Sequence, residues 1–221
     1  MGKLIVIEGA CDGVGKTTQS ELLEKRLIRD GERVVKHHFH SRGFDEGQLA
    51  ENFTKGLYGD ISNYSPEWIH NLFAVDRQII WPTKLKPEYD KGSIILLDRY
   101  LTSTLIYQGA MKETKEELKD FIDYVTNQEY NIYGIQKPDL ILFLYANFEF
   151  AMEQKRRKAK EENVEKDMLE KDTEYMKKVY DTAMFVADYL KWTKIKCDED
   201  NHMRPIEDIH EEIYRKVKKM D

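Results

Sequence analysis

The sequence predicts an α/β fold in which a parallel sheet is covered by helices on both faces. Three observations carry this. Short apolar runs, Lys3-Leu-Ile-Val-Ile7, Ser93-Ile-Ile-Leu-Leu97 and Lys137-Pro-Asp-Leu-Ile-Leu-Phe-Leu144, read as buried strands. Helical stretches alternate with them, the pattern that covers both faces of a parallel sheet. The first strand then runs through a glycine-rich turn into Gly15-Lys16-Thr17-Thr18 at a helix start. Unpaired N–H groups there favour an anion. In a Walker A loop the lysine reaches the β/γ-phosphates and the hydroxyl sits on Mg²⁺. Five residues separate Gly9 from Gly15 where that pattern has about four, and Ala10 takes the usual first-glycine place. A plain surface turn would not require Gly-Lys-Thr directly after a buried strand, so the reading is a nucleotide site.

The 221 residues suffice for one sizeable core, read as a single domain over residues 1–221 with a small insertion. A net charge of −6 argues against a nucleic-acid coat, although phosphate binding is local and remains open. Cys11 and Cys197, in no metal-ligand spacing, are expected as reduced thiols in a cytoplasmic setting. Cys11 is either an oxidisable residue of the phosphate loop or a small filler. The first strand begins at Lys3, which leaves no room for a signal peptide. No apolar run approaches the roughly 18 residues of a membrane span.

Leu22, Leu23, Leu27 and Ile28 give the first helix an apolar stripe, and Gly31 is its C-terminal stop. Arg33 to Phe39 reads as the second strand, followed by loop and a short helix among Gly43, Gly47, Gly56 and Gly59. Ser65-Pro66-Glu67 starts a helix expected to end or kink at Pro82. After the third strand come Asp98-Arg99-Tyr100 and helices over about 101–110 and 115–129. The fourth strand leads to a helix from about residue 149 and a charged stretch read as a lid over about 155–167. A helix over about 168–190, a short strand near 193–197 and a closing helix from about Pro205 complete the chain.

Ligands of such sheets bind outside the carboxyl ends of the strands. That rule gathers the segments after Ile7, Phe39, Leu97 and Leu144. Asp98 follows a buried strand as a Walker B-type carboxylate does, and is assigned to Mg²⁺ beside Thr17; its plain alternative is a helix cap. Arg99 would point at a phosphoryl group. Phe73 and Arg77, four apart, share a helix face that could stack a base and hold a carbonyl or phosphate. On spacing alone the stronger reading is core, with Arg77 solvated. His37, His38 and His40 read as structural, His40 near the ligand by position only. Lys155-Arg156-Arg157-Lys158 is by default a solvated face and, in the sharper reading, a lid supplying transition-state charge.

Asp12-Gly-Val-Gly-Lys-Thr-Thr-Gln19, Phe39…Arg42…Gly47, Leu72-Phe73…Asp76-Arg77, Asp98-Arg-Tyr100, Tyr107-Gln-Gly-Ala110 and Lys137-Pro-Asp139 occur in this order. Together they resemble the thymidylate kinase family over almost the whole chain. The resemblance implies transfer of the γ-phosphoryl of ATP to dTMP, giving dTDP for DNA precursor synthesis, with Mg²⁺. It implies a five-stranded parallel sheet with a lid, usually as a homodimer. Position by position, Gly13, Val14, Gly15, Lys16, Thr17 and Thr18 would hold ATP, with Thr17 and Asp98 on the metal. Asp12 matches the aspartate near the acceptor 3′-hydroxyl, Arg42 an acceptor-phosphate arginine, and Phe73 the residue stacked on thymine. Arg77 matches the residue that holds the base, Arg99 a phosphate ligand, and Gln108 lies where the family closes over the base. Phe39 and Tyr107 join the acceptor side. Two departures stand out: His40 occupies the usual proline position after Phe39, and Gly13 stands where some members carry a basic residue. Arg156 or Arg157 is expected to supply the missing charge.

Three rival classes are weighed against this. A deoxynucleoside kinase would need a general base for a neutral 5′-hydroxyl, whereas a monophosphate needs cations, which Arg42, Arg77 and Arg99 provide. A non-catalytic nucleotide-binding protein with the same fold is the second, separable by acceptor-dependent ADP release. A switch GTPase lacks its Asn/Thr-Lys-x-Asp motif here.

Overall fold

The computed structural model describes residues 1–11, 13–153, 173–200 and 202–220. Its centre is a five-stranded parallel sheet of β1 (Lys3–Gly9), β2 (Val34–His38), β3 (Ile94–Asp98), β4 (Leu140–Tyr145) and β5 (Thr193–Lys196), in the order β2-β3-β1-β4-β5. Strand residues alternate between faces. Leu4, Val6, Ile95, Leu97 and Phe143 therefore pack on one side. They meet α3 (Pro66–Ile80), α5 (Leu101–Tyr107), α6 (Lys115–Thr126) and α8 (Thr173–Tyr189). Ile5, Ile7, Leu96, Leu142 and Leu144 pack on the other, against α1 (Lys16–Arg29) and α9 (Ile206–Lys218). Burying each such side chain fully contributes roughly 1.5–3 kcal/mol.

Local chemistry explains most element ends. Ser65 Oγ accepts from the Trp68 amide at 3.2 Å and caps α3 ahead of Pro66. Thr114 and Glu117 form a reciprocal capping box on α6. The regular α-helix ends at Ile80, two residues before Pro82, although the chain keeps winding. α3 loosens into a π-type turn over Trp81–Leu85 and continues as α4 (Lys86–Asp90). Trp81, Leu85 and Tyr89 recur at four-residue intervals and are all buried, so core burial keeps the chain winding past the missing N–H. A second π-type turn, Asn127–Ile132, follows α6 where one uninterrupted helix is expected, and it carries Glu129 fully inside.

A short helix, α2 (Gln48–Thr54), follows the β2 loop, and α7 starts at residue 148. The antiparallel pair β6 (Asp198–Glu199) and β7 (His202–Met203) has no counterpart in the sequence reading, since two-residue strands leave no periodicity to detect. Among the described residues no helix is long and apolar enough to cross a membrane. The lid stretch expected at about 155–167 lies outside the described residues.

Two buried polar contacts tie the sheet's carboxyl end to α3 and α6. Asp76, fully buried on α3, accepts from the Ser41 amide and the Ser41 hydroxyl, each at 2.7 Å, and so pins the loop after β2. Gly47 is required beside it, because a Cβ there would lie 2.3 Å from the Ser41 carbonyl oxygen. His70, also fully buried, meets Gln128 Oε1 at 3.2 Å and lies 3.5 Å from Glu129 Oε1. Burial, with the Arg77 guanidinium nearby, holds its imidazole neutral, down to about 3.

Asp76→Ala should lower unfolding stability by about 1–3 kcal/mol in urea titrations, because the buried Ser41 amide loses its partner. For His70 the unfolded chain takes up a proton as pH falls below about 6.5, and the folded chain does not until about 3. Stability should fall through that window by up to about 1.4 kcal/mol per pH unit. In His70→Gln, which does not titrate, the melting temperature should fall less than in the parent between pH 7 and pH 4.5.

Candidate active site

The phosphate loop leaves β1 at Gly9, where a side chain would have no room. A Cβ on Gly9 would lie 2.9 Å from Lys16 Cδ and 3.0 Å from Val14 Cγ2, so the lysine stem and the valine occupy that space. Gly13 and Gly15 both take φ of 90°, the left-handed region open to glycine. Lys16 is buried, with Nζ donating to the Cys11 carbonyl at 3.0 Å. The Cys11 side chain belongs to the core, as the filler reading has it, and neither cysteine is in a disulfide. α1 begins with neither a side-chain cap nor an acidic residue in its first turn, so its opening N–H groups and positive dipole end are offered to an anion. Thr17 and Thr18 are exposed there.

Sheet register sets the second half of the site. His38, Asp98 and Ile7 lie side by side in one row across β2, β3 and β1. Asp98 Oδ2 is 3.3 Å from His38 Nδ1, whereas the buried Oδ1 has no hydrogen-bond partner among the described residues. Burial works to raise the Asp98 carboxyl. The His38 hydrogen bond and the nearby charges of His38, Arg99 and Lys16 outweigh it and hold it below its ordinary value. Arg99, next in the chain, has φ of 65°, a strained conformation for a non-glycine residue, and its amide donates to Ile7 O at 3.1 Å. Glu8, fully buried at the end of β1, braces this corner. It accepts from Thr102 Oγ1 at 2.8 Å, Ser103 Oγ at 2.5 Å and the Gly9 amide at 3.0 Å, and lies 3.7 Å from Arg99 Nη1.

Beside the loop, one cleft is lined by Phe39, Arg42, Phe73, Arg77, Arg99, Tyr107 and Gln108, with His38, His40, Thr54, Tyr100, Ser103 and Thr104. The first seven, drawn from four separate segments, are all but Asp12 of the eight acceptor residues expected from sequence. The reading of Arg77 as a solvated residue is overturned. It is 2% exposed, and its guanidinium grips Glu129 through Nε, at 2.8 Å to Oε2 and 3.1 Å to Oε1, and through Nη2 to Oε1. Nη2 also reaches Thr104 Oγ1 at 3.4 Å. That grip keeps the charge in place against burial and leaves Nη1 without a hydrogen bond among the described residues. Arg42 is exposed at the rim. The Phe39–His40 peptide bond is cis.

Glu129 and Glu8 escaped the sequence reading, as did the pairing of His38 with Asp98 and of Asp76 with Ser41. Each acts through a partner distant in the chain, and for Glu129 the only local signal is a carboxylate where a helix loses its period. Asp12, Arg156 and Arg157 lie outside the described residues.

A family model for thymidylate kinase matches residues 7–213. A thymidylate kinase of Plasmodium falciparum (isolate 3D7) is 32% identical over 99% of this chain and 91% of its own length. One from Thermosipho melanesiensis is 31% identical over 83% of each chain. The solved thymidylate kinase of Candida albicans shares the fold, with a TM-score of 0.74 over 99% of this chain and 92% of that one at 23% identity. An anion-ready helix start beside a cleft with three arginines thus coincides with a match over nearly all the chain, which belongs to the thymidylate kinase family.

Proposed function

We propose that the chain carries out its family's reaction, ATP-dependent phosphoryl transfer to dTMP, with donor and acceptor on two sides of one site. The observation that carries the division is the cleft itself. Three guanidinium groups, Arg42, Arg77 and Arg99, line it together with Phe73, next to the Gly-Lys-Thr helix start. A monophosphate brings its own nucleophilic oxygen and needs cations around it, so this lining favours it over a neutral nucleoside that needs a base.

In this reading the N–H groups of Gly13 to Thr18 and the Lys16 ammonium cradle the donor phosphates. Lys16 Nζ, which donates to the Cys11 carbonyl in the protein alone, would turn to a phosphate oxygen. Arg42 and Arg99 hold the acceptor phosphate, and the strain at Arg99 is part of its aim. Phe73 stacks the base, while Tyr107 and Gln108 close the cleft around it. Arg77, pinned by Glu129, presents its Nη1 donors to a base carbonyl. Much of the catalysis is then positioning, which the buried supports provide. The partnerless Oδ1 of Asp98 suits a hard cation, so Asp98, with the Thr17 hydroxyl, would hold Mg²⁺. Once bound, that ion neutralises phosphate charge.

A homodimer is proposed on a separate observation. Trp68, Val75 and Ile79 are about 40% exposed and, with half-buried Leu72, fall at 68, 72, 75 and 79 on one stripe of α3. Such a stripe beside the acceptor helix face suits a helix-to-helix contact between two copies.

A coupled ADP-release assay with dTMP, dUMP, dCMP, dGMP, AMP and thymidine tests the reaction. Rate should appear mainly with dTMP; thymidine-only activity overturns the arginine roles. Phe73→Ala should raise KM for dTMP about ten-fold or more and leave KM for ATP nearly unchanged, since stacking contributes about 1–3 kcal/mol per base. Sedimentation should give a dimer for the parent and a monomer for Val75→Glu/Ile79→Lys; a parent monomer at micromolar concentration removes the dimer reading.

A further inference from the structure

The imidazole of His40 belongs to the cleft wall and has no part in the mechanism above. It is 9% exposed, lines the cleft, and its Nε2 is buried with no hydrogen-bond partner among the described residues. Its neighbours in the chain are spoken for: His37 Nε2 meets Ser41 Oγ at 2.8 Å and His38 Nδ1 meets Asp98. The family resemblance puts proline at this place, a residue without a polar side chain. An unsatisfied buried nitrogen is costly, and a protein that keeps one has a reason to be sought.

Placement supplies that reason. The His40 ring stands edge-on to Phe73, with centroids 5.8 Å apart and planes at 67°. The imidazole is thus in ring contact with Phe73, the residue read as stacking the base. Arg42 and Arg99 flank it on the phosphate side. The support is stiff: Ser41 is pinned by Asp76 through two short hydrogen bonds, and the Arg42 amide donates to the His40 carbonyl at 2.9 Å. Burial and the Arg42 charge hold the imidazole down to about 4, so it meets a ligand uncharged.

We propose that His40 is a specificity-determining residue of the acceptor site, its Nε2 forming a hydrogen bond to the edge of the base of the bound nucleoside monophosphate. This rests on the acceptor cleft described above. Like the Nη1 of Arg77, the Nε2 of His40 is a polar atom left without a hydrogen bond among the described residues, and the acceptor would satisfy it. The interaction thus favours the bound state while burdening the empty one.

The test uses the full chain with dTMP and ATP. His40→Leu should raise Kd and KM for dTMP about 5- to 10-fold and leave both for ATP unchanged, while the ligand-free melting temperature stays level or rises. His40→Gln should recover part of the dTMP affinity. In ¹⁵N-histidine-labelled parent protein, the His40 Nε2 resonance should move on adding dTMP and stay still on adding ATP. A folded His40→Leu with unchanged dTMP affinity, equal losses for both nucleotides, or a His40 Nε2 signal indifferent to dTMP overturns the proposal, and the last needs no variant to fold. Phe73→Ala separates the two levels. If it weakens dTMP while His40→Leu does not, only the histidine assignment fails; if neither variant matters, the cleft reading fails with it.

Discussion

The site depends on β1 being the central strand of a parallel sheet. Pairing with β3 on one side and β4 on the other fixes its register, and that register sets Ile7 beside Asp98 and, through β3, in the same row as His38. Every strand therefore releases its chain at the same end, where the phosphate loop, the Asp98-Arg99 corner and the β2 loop meet. The apolar faces that hold this register bury Ile5 and Ile7 on one side and Leu4 and Val6 on the other. A slip of one residue would exchange the two faces and carry Glu8 into an apolar layer.

Charge at this end is organised by buried acids that do not themselves line the cleft. Glu8 braces Arg99 and the first turn of α5, Asp76 braces the β2 loop, and Glu129 braces Arg77. Each takes two or more hydrogen bonds, the condition under which a buried carboxylate is tolerated. Isolated buried pairs are weak contributors to stability. Their use here is geometric: they hold guanidinium groups and a loop in one orientation, so that little remains to be ordered when substrate arrives.

His40 fits the same logic with the sign reversed. Glu129 leaves Arg77 with one pair of donors unspent, and the fold leaves His40 with one nitrogen unspent, both lining the same cleft. Unmet hydrogen bonds confined to one wall define what a ligand must bring more sharply than apolar shape does, since leaving a buried polar group unpaired is what rejects an analogue.

The sequence by itself determined the sheet, its helices and the nucleotide loop, because buried strands, helical periodicity and Gly-Lys-Thr are written in adjacent residues. From the family resemblance it also named, by order and type, seven residues that the fold brings together in one cleft. It placed the end of α3 near the proline but not the π-type turn and α4 that follow, where Trp81, Leu85 and Tyr89 are buried, and it missed the β6–β7 pair, too short to leave a pattern. On spacing alone Arg77 read as solvated, because nothing near it in the chain reveals Glu129, 52 residues away. Which nitrogen of which histidine is left without a partner is likewise decided only when distant segments pack. Local pattern sets what each segment is; only tertiary contact sets what each polar group has left to give.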